Sequence, residues 1–332
     1  MKHSIVLLSS YPLSQENNER IEEYVGRLGG RFIPSFLGEE SPVIVQRIEE
    51  HIELATILLG GRLTQEQWER GKRLEWIHIP WAGVNALFSL RGLEDRPLLY
   101  TNSSGVMADS VADQVAAYLV MLNRSLVKQI RRMERREWNR YTSVEHPDRR
   151  VLRGMTAGIV GYGAIGREVA LRCRAFGMRV IGMTRHLREE HDLDALYTPD
   201  QFHTLLEESD FVVIALPLTI ETEGLFNAEA FRHMKKTAFL INVARGNIVR
   251  QQDLIAALER GEIAGVALDV VEEEPLSPES VLWELDRVIV TPHSSGGFVG
   301  FGDRVTDLFL DNLNRFVAGK ELRNVVSPHR GY

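Results

Sequence analysis

The sequence predicts a two-domain α/β protein built on parallel sheets, and three observations carry that prediction. Short apolar runs alternate with helix-periodic stretches through the first hundred residues, and a stronger series of the same kind starts near residue 156. The chain has 332 residues, which at about 100–200 residues per domain suits two cores. No repeat, low-complexity tract or Pro/Ser-rich linker separates the two series, so the boundary lies inside folded structure.

In the first series, Ile5–Leu8, Ala55–Leu59, Trp76–Ile79 and Leu98–Thr101 read as buried strands. Ser14 reads as the N-cap of a helix over Gln15–Leu28, since its hydroxyl can accept from a first-turn N–H. Ser41-Pro42 opens another helix, because proline lacks only an N–H that the first turn leaves unpaired anyway. In the second series the apolar runs are Ala157–Val160, Val180–Met183, Phe211–Leu216, Ala238–Val243, Ala264–Leu268 and Val288–Val290, with helical patterns between them such as Asp253–Leu258, closed by Gly261. Six such strands with crossover helices describe a doubly wound, Rossmann-type sheet. Two amphipathic helices stand apart, over 108–123 and 303–317. Only residues 318–332 follow the second, too few for another domain. That helix is therefore expected back on the first layer, giving one discontinuous domain of 1–101 and 295–332 around another of 102–294.

Composition excludes several classes. The chain is 44% hydrophobic and 26% charged, ordinary for a globular protein, and its 39 basic and 46 acidic residues give a net charge of −7. That balance offers no general attraction to nucleic acid or an anionic membrane. The basic stretch Arg124–Arg140 is interrupted by Glu134 and Glu137 and reads as a solvated helix. One cysteine, Cys173, excludes an internal disulfide, fits a reducing compartment and reads as packing. Ile5–Leu8 is too short for a signal-peptide core, and no run approaches the ~18 apolar residues of a membrane span. A cytoplasmic protein is expected. None of the histidines has a zinc-binding spacing to Cys or another His, so no metal is expected.

Gly161-Tyr162-Gly163-Ala164-Ile165-Gly166 lies between a strand-like run and an apolar-periodic helix, the context that a dinucleotide fingerprint requires. The glycines allow a tight turn, approach of backbone to pyrophosphate and close helix–sheet packing, and the helix N-terminus adds N–H donors. The acidic residue that normally grips a ribose 2′-hydroxyl at the end of the second strand is missing. Thr184 stands there, followed by Arg185, His186 and Arg188. A 2′-phosphate suits those cations better than a ribose diol, so NADP is favoured and NAD remains open; the bland alternative is a solvated cationic loop.

Ligands of an open parallel sheet bind outside the carboxyl ends of its strands. There the sequence places Leu216-Pro217, Val243-Ala244-Arg245-Gly246, Asp269 followed by Glu274-Pro275, and Thr291-Pro292-His293. An arginine, a carboxylate and a histidine share one edge.

Asn242-x-Ala244-Arg245-Gly246, Leu268-Asp269-Val270 with Glu274-Pro275, and Thr291-Pro292-His293 resemble the three signature blocks of the D-isomer-specific 2-hydroxyacid dehydrogenases. Gly161–Gly166 is similar to that family's cofactor loop, and Leu216-Pro217-Leu218-Thr219 with Thr222 to its next block. The resemblance runs from about Trp76 to Val317. It implies that Arg245 binds the substrate carboxylate, His293 is the acid/base and Glu274 its partner. Gly161, Gly163, Ala164, Ile165, Gly166, Thr184, Arg185, Arg188, Leu216, Pro217, Thr222, Val243 and Ala244 would contact the cofactor, and Asp269 would hold its carboxamide. Trp81-Ala82-Gly83-Val84 resembles the substrate loop, with backbone N–H groups toward the carboxylate. Asn85 and Asp113 stand where Asp and Glu are common in the family, which leaves substrate fit open. The implied architecture is a flavodoxin-like substrate domain (1–101 and 295–332) around a dinucleotide-binding domain (102–294), closing about hinges near residues 102 and 294, in a homodimer formed through the Ala108–Asn123 region. The implied activity is hydride transfer between a nicotinamide cofactor and a small 2-oxo or 2-hydroxy acid such as glyoxylate or hydroxypyruvate. Some relatives are corepressors, so a dinucleotide-sensing module is the rival reading; a complete Arg245, Glu274 and His293 set argues against it.

The chemistry agrees with the residue types. A guanidinium clamps a carboxylate through a planar fork. Hydride addition to a carbonyl develops alkoxide charge, which a protonated imidazole neutralises by donating its proton.

Overall fold

The computed structural model describes residues 5–138, 150–185 and 192–327; His186 and Arg188, named above, lie outside them. Two compact units emerge, residues 1–106 with 298–332, and residues 107–297.

The first unit runs β1 (Val6–Ser9), α1 (Gln15–Arg27), β2 (Arg31–Ile33), α2 (Ser41–His51), β3 (Ile57–Leu59), α3 (Gln65–Arg70), β4 (Trp76–Ile79), α4 (Asn85–Phe88) and β5 (Leu99–Asn102). Its five strands are all parallel in the order β2-β1-β3-β4-β5, the flavodoxin-like winding. Leu7, Leu8, Ile57, Leu58, Trp76 and Ile77 are wholly buried, because helices cover both faces. That is why these strands read as continuous apolar runs. Ser14 caps α1 as the sequence predicts, its hydroxyl accepting from the Asn17 N–H at 3.2 Å. β2 went unread: it is a three-residue edge strand with only Ile33 buried.

The second unit begins with α5 (Ala108–Asn123) and α6 (Leu126–Glu134), followed by β6 (Thr156–Val160), α7 (Ala164–Ala175), β7 (Arg179–Met183), β8 (Ala195–Tyr197), α8 (Phe202–Glu208), β9 (Phe211–Ile214), α9 (Ala228–His233), β10 (Phe239–Asn242), α10 (Gln251–Glu259), β11 (Gly265–Leu268) and β12 (Val288–Val290). Seven parallel strands lie in the order β12-β11-β10-β9-β6-β7-β8, one more than the six expected. The extra strand, β8, is a three-residue, half-exposed edge. Strand order reverses between β6 and β9, and at such a switch point the loops diverge to leave a crevice. α5 buries Val111, Ala112, Val115, Tyr118, Leu119 and Leu122 within this unit. Arg172 of α7 ties the two helices, with Nε donating to Asp113 at 2.7 Å and Nη2 to the Asp109 carbonyl at 3.1 Å. Asp113 thus has a structural partner.

The last helix, α11 (Phe301–Val317), belongs to the first unit. Phe309 stacks on Trp76 with centroids 5.1 Å apart, and Phe316 lies 5.5 Å from the same ring. Asn17 donates to Asp303 at 2.7 Å, and Arg20 pairs with Asp307.

Beside Trp76, the ring of His78 is fully buried. A neutral imidazole satisfies its surroundings: Nδ1 lies 2.7 Å from the Thr101 hydroxyl and Nε2 lies 3.1 Å from that of Ser103. Burial disfavours the cation and pushes the pKa from its ordinary 6.5 down to about 3. Between those values the unfolded chain binds a proton that the folded chain refuses, so stability is lost as pH falls through that window. Wild type should therefore lose up to about 1.4 kcal/mol per pH unit more than a His78→Gln variant. Chemical unfolding at pH 6, 5 and 4 measures the difference; parallel pH dependences would show that His78 is not the group responsible.

Candidate active site

The loop after β6 has a separate steric reason for two of its three glycines. Gly161 has φ +108, and a Cβ there would lie 2.7 Å from the Ala215 carbonyl carbon and oxygen. A Cβ on Gly166 would lie 2.3 Å from the Gly161 oxygen, so helix and turn pack at the limit of contact. Gly163 differs: a Cβ there would meet nothing within 4 Å. Gly163 is the N-cap of α7 and offers no side-chain acceptor to the first-turn N–H groups, which an α-helix leaves without backbone partners. An uncapped helix start with open space at its cap residue fits a pyrophosphate, with Ala164, Ile165 and Gly166 supplying donors.

The turn after β10 is braced by the buried Asn242, whose side-chain oxygen accepts from the Ala244 N–H at 3.1 Å while its nitrogen donates to the Arg245 carbonyl at 3.0 Å. Asn242 stands in the recognised block, but its bracing role was not read from the sequence. Val243 and Ala244 are buried. Gly246 must be glycine: a Cβ there would fall 1.8 Å from the Val271 carbonyl oxygen. Arg245 is half-buried, and its Nη1 donates to its neighbour Ala244 at 2.6 Å. Burial is the main influence on the guanidinium and lowers its pKa; the charge of Glu274 acts in the opposite sense. Among the described residues no carboxylate pairs with Arg245 within 4.0 Å.

His293 has left-handed backbone, φ +50, and its side chain is half-exposed. Its Nδ1 lies 2.9 Å from a Glu274 oxygen. An ionised carboxylate only accepts, so Nδ1 carries the hydrogen and Nε2 is the atom left for chemistry. The other Glu274 oxygen accepts from the Val271 N–H at 3.3 Å. Asp269 holds the turn beneath. One of its oxygens accepts from the Thr291 hydroxyl at 2.6 Å and the Ser294 N–H at 2.9 Å, and the other from the Ser295 N–H at 3.1 Å and hydroxyl at 2.5 Å. Its carbonyl accepts from the His293 N–H at 2.8 Å. Asp269 is buried, and these four donors match the acceptor capacity of a carboxylate. The oxygens of Asp269 thus brace the loop carrying His293. Thr291 also meets the Tyr118 hydroxyl at 2.5 Å. Thr291 stands in a recognised block, whereas the Ser295 and Tyr118 hydroxyls carry no sequence signature.

Elsewhere, Thr222 closes its own loop, donating to the Pro217 carbonyl at 2.8 Å and accepting from the Thr219 N–H at 2.8 Å; Leu216 is half-buried and Pro217 exposed. Thr184 follows β7, and Arg185 is ion-paired with Glu221, an acidic neighbour that the sequence did not suggest. In the first unit, Trp81–Val84 follows β4. The Ala82 carbonyl accepts from Asn102 at 2.8 Å, the Trp81 carbonyl from the Ser103 N–H at 3.2 Å, Gly83 is half-buried and Val84 is buried.

Residues 116–295 match the family description "D-isomer specific 2-hydroxyacid dehydrogenase, NAD binding domain". The chain belongs to the D-isomer-specific 2-hydroxyacid dehydrogenases. The dehydrogenase is 36% identical to a glyoxylate reductase of Pyrococcus horikoshii over 84% of this chain and 83% of that one. It is 37% identical to glyoxylate/hydroxypyruvate reductase B of Escherichia coli over 99% of both chains. Its fold matches the crystal structure of a D-isomer-specific 2-hydroxyacid dehydrogenase from Xanthobacter autotrophicus, in complex with NADPH and MES, with a TM-score of 0.82 and 27% identity over 99% of this chain and all of that one. The protein is thus a nicotinamide-dependent oxidoreductase with a Rossmann-type unit. Among the described residues no helix is long and apolar enough to cross a membrane.

Proposed function

We propose that the dehydrogenase reduces small 2-oxo acids of the glyoxylate and hydroxypyruvate kind to 2-hydroxy acids. The observation carrying this reading is Arg245, a half-buried cation with no ion-pair partner among the described residues. Such a group favours an anionic ligand, and a planar fork suits a carboxylate. Arg245 clamps the acid and orients its carbonyl. His293, held at Nδ1 by Glu274, delivers the Nε2 proton to the carbonyl oxygen as charge develops there. Glu274 stabilises the imidazolium needed for that step. When bound at Gly161–Gly166, the nicotinamide cofactor supplies the hydride. Asp269 keeps the His293 turn in place. The inserted unit is the cofactor domain and the discontinuous one the substrate domain, with Trp81–Val84 contributing N–H groups to the carboxylate. A homodimer in the cytoplasm is part of the same reading; α6 adds exposed Ile130 and Met133 to the expected α5 region, and sedimentation velocity separates dimer from monomer.

NADPH is the preferred cofactor in this proposal. Thr184 offers a hydroxyl in place of a repelling carboxylate, and Arg185 a guanidinium. Glu221 competes for Arg185, but an exposed pair contributes only about 0–1 kcal/mol. A phosphate near −2 charge forms charge-assisted hydrogen bonds of about 1.5–3 kcal/mol each and displaces it. A panel of 2-oxo acids assayed with each cofactor should therefore show higher kcat/KM with NADPH. Arg185→Ala should reduce that ratio about tenfold, and Glu221→Gln should increase it. Turnover of no 2-oxo acid would overturn the proposed function, whereas a wild type favouring NADH would overturn only the cofactor preference.

A further inference from the structure

Two short helices bring together a constellation that reduction of a 2-oxo acid does not use. α8 carries His203 and, one turn later, Glu207; α9 carries Glu229 and, one turn later, His233. Residues at i and i+4 share a helix face. The rings of His203 and His233 stack with centroids 4.0 Å apart and planes 9° from parallel. One ligand atom from each of His203, Glu229 and His233 lies within 4.8 Å of the others. His233 Nδ1 sits 2.8 Å from a Glu207 oxygen.

We propose that His203, His233 and Glu229 form a binding site for one divalent transition-metal ion of the zinc, cobalt or nickel class. Two imidazoles and a single carboxylate suit a borderline ion; magnesium and calcium demand more oxygen donors than the cluster offers. Glu207 supplies the outer partner that metal-bound histidines usually have. An ionised Glu207 can only accept, so the His233 hydrogen is on Nδ1 and the Nε2 lone pair is available. Stacked rings hold their lone pairs parallel, so binding requires the two imidazoles to open about their side-chain torsions. Both rings and the exposed Glu229 are at the surface, where that rotation is inexpensive. Water completes the coordination. The expectation of no metal rested on spacing along the chain, and His203 and His233 are thirty residues apart. Bound metal links α8 to α9, two helices of seven and six residues that gain little stability from their own length.

Zinc titration calorimetry of the whole protein, at neutral pH in a buffer that does not chelate, provides the test. Wild type is expected to bind one more equivalent of Zn²⁺ than His203→Ala or Glu229→Gln. Glu207→Gln should weaken that equivalent by about 10–100-fold. Glu229 is exposed, so its variant tests the site without disturbing the core, and melting in EDTA verifies that each variant is folded. Co²⁺ should give visible absorption in wild type that His203→Ala and Glu229→Gln lack, and Zn²⁺ should raise the melting temperature of wild type but not of those two. Reductase activity in EDTA should be unchanged in all three variants. Equal Zn²⁺ stoichiometry in wild type, His203→Ala and Glu229→Gln, or Mg²⁺ displacing Zn²⁺ at equal concentration, would overturn the proposal. Zinc bound elsewhere, for instance at His293, persists in the variants and does not count toward it.

Discussion

Arg245→Lys should lower kcat/KM for 2-oxo acids by about 10²–10³-fold, the scale of losing one preorganised donor at a reacting group. The variant keeps the charge. It loses the planar fork, so the carboxylate is held by a single mobile point and the carbonyl is no longer aimed at His293. Lysine is also shorter in reach than the rigid guanidinium, and the turn cannot adjust, because Gly246 already sits against the Val271 carbonyl and Asn242 clamps both sides of Arg245. The melting temperature should stay nearly constant, since Arg245 makes no ion pair among the described residues. Steady-state kinetics on glyoxylate and hydroxypyruvate decide the matter: wild-type values in this variant would remove Arg245 from the carboxylate-binding role.

Asp269→Asn is expected to damage stability and activity together. The carboxylate accepts from four donors, and an amide can replace only one of its two oxygens. The new NH₂ faces either the Ser295 pair or the Thr291 and Ser294 pair, leaving buried donors opposed to donors. Each unsatisfied buried group costs about 1–3 kcal/mol. The melting temperature should fall by about 5–10 °C, and kcat should drop about 10²-fold as the turn holding His293 loosens. A contact to the cofactor alone would instead raise the KM for NADPH and leave melting of the unliganded protein unchanged, so differential scanning calorimetry distinguishes the two roles.

What the sequence discloses depends on how each element is stabilised. Strands buried on both faces announce themselves: Phe211–Ile214, and Phe239–Asn242 up to its last residue, are apolar because helices cover both sides. The edge strands Arg31–Ile33 and Ala195–Tyr197 are three residues long and partly exposed, and went unread. Arg245, Glu274 and His293 were legible because each follows a strand end in a recognisable block. Their supports were not. The Thr291 and Ser295 hydroxyls act through the geometry of a turn, Glu221 reaches Arg185 from another loop, and His203 meets His233 only because α8 and α9 adjoin. Asp269 was noticed for its place in a block, and its hydrogen bonds to Thr291, Ser294 and Ser295 could not be read there.

The inserted unit begins and ends at one place. A Cβ on Gly296 would touch the Met107 sulfur at 2.7 Å, and the Ser110 hydroxyl donates to the Ser295 carbonyl at 2.9 Å. While residues 107–297 are unfolded, the surrounding unit can seat α11 on Trp76 only by closing a loop of nearly two hundred residues. That closure costs about 5 kcal/mol of chain entropy. Once the insert folds, its adjoining ends make the same connection short, and most of the cost disappears. The seating of α11 is thereby coupled to the insert's own folding equilibrium through chain connectivity: a substitution that melts the insert also loosens the C-terminal helix from Trp76.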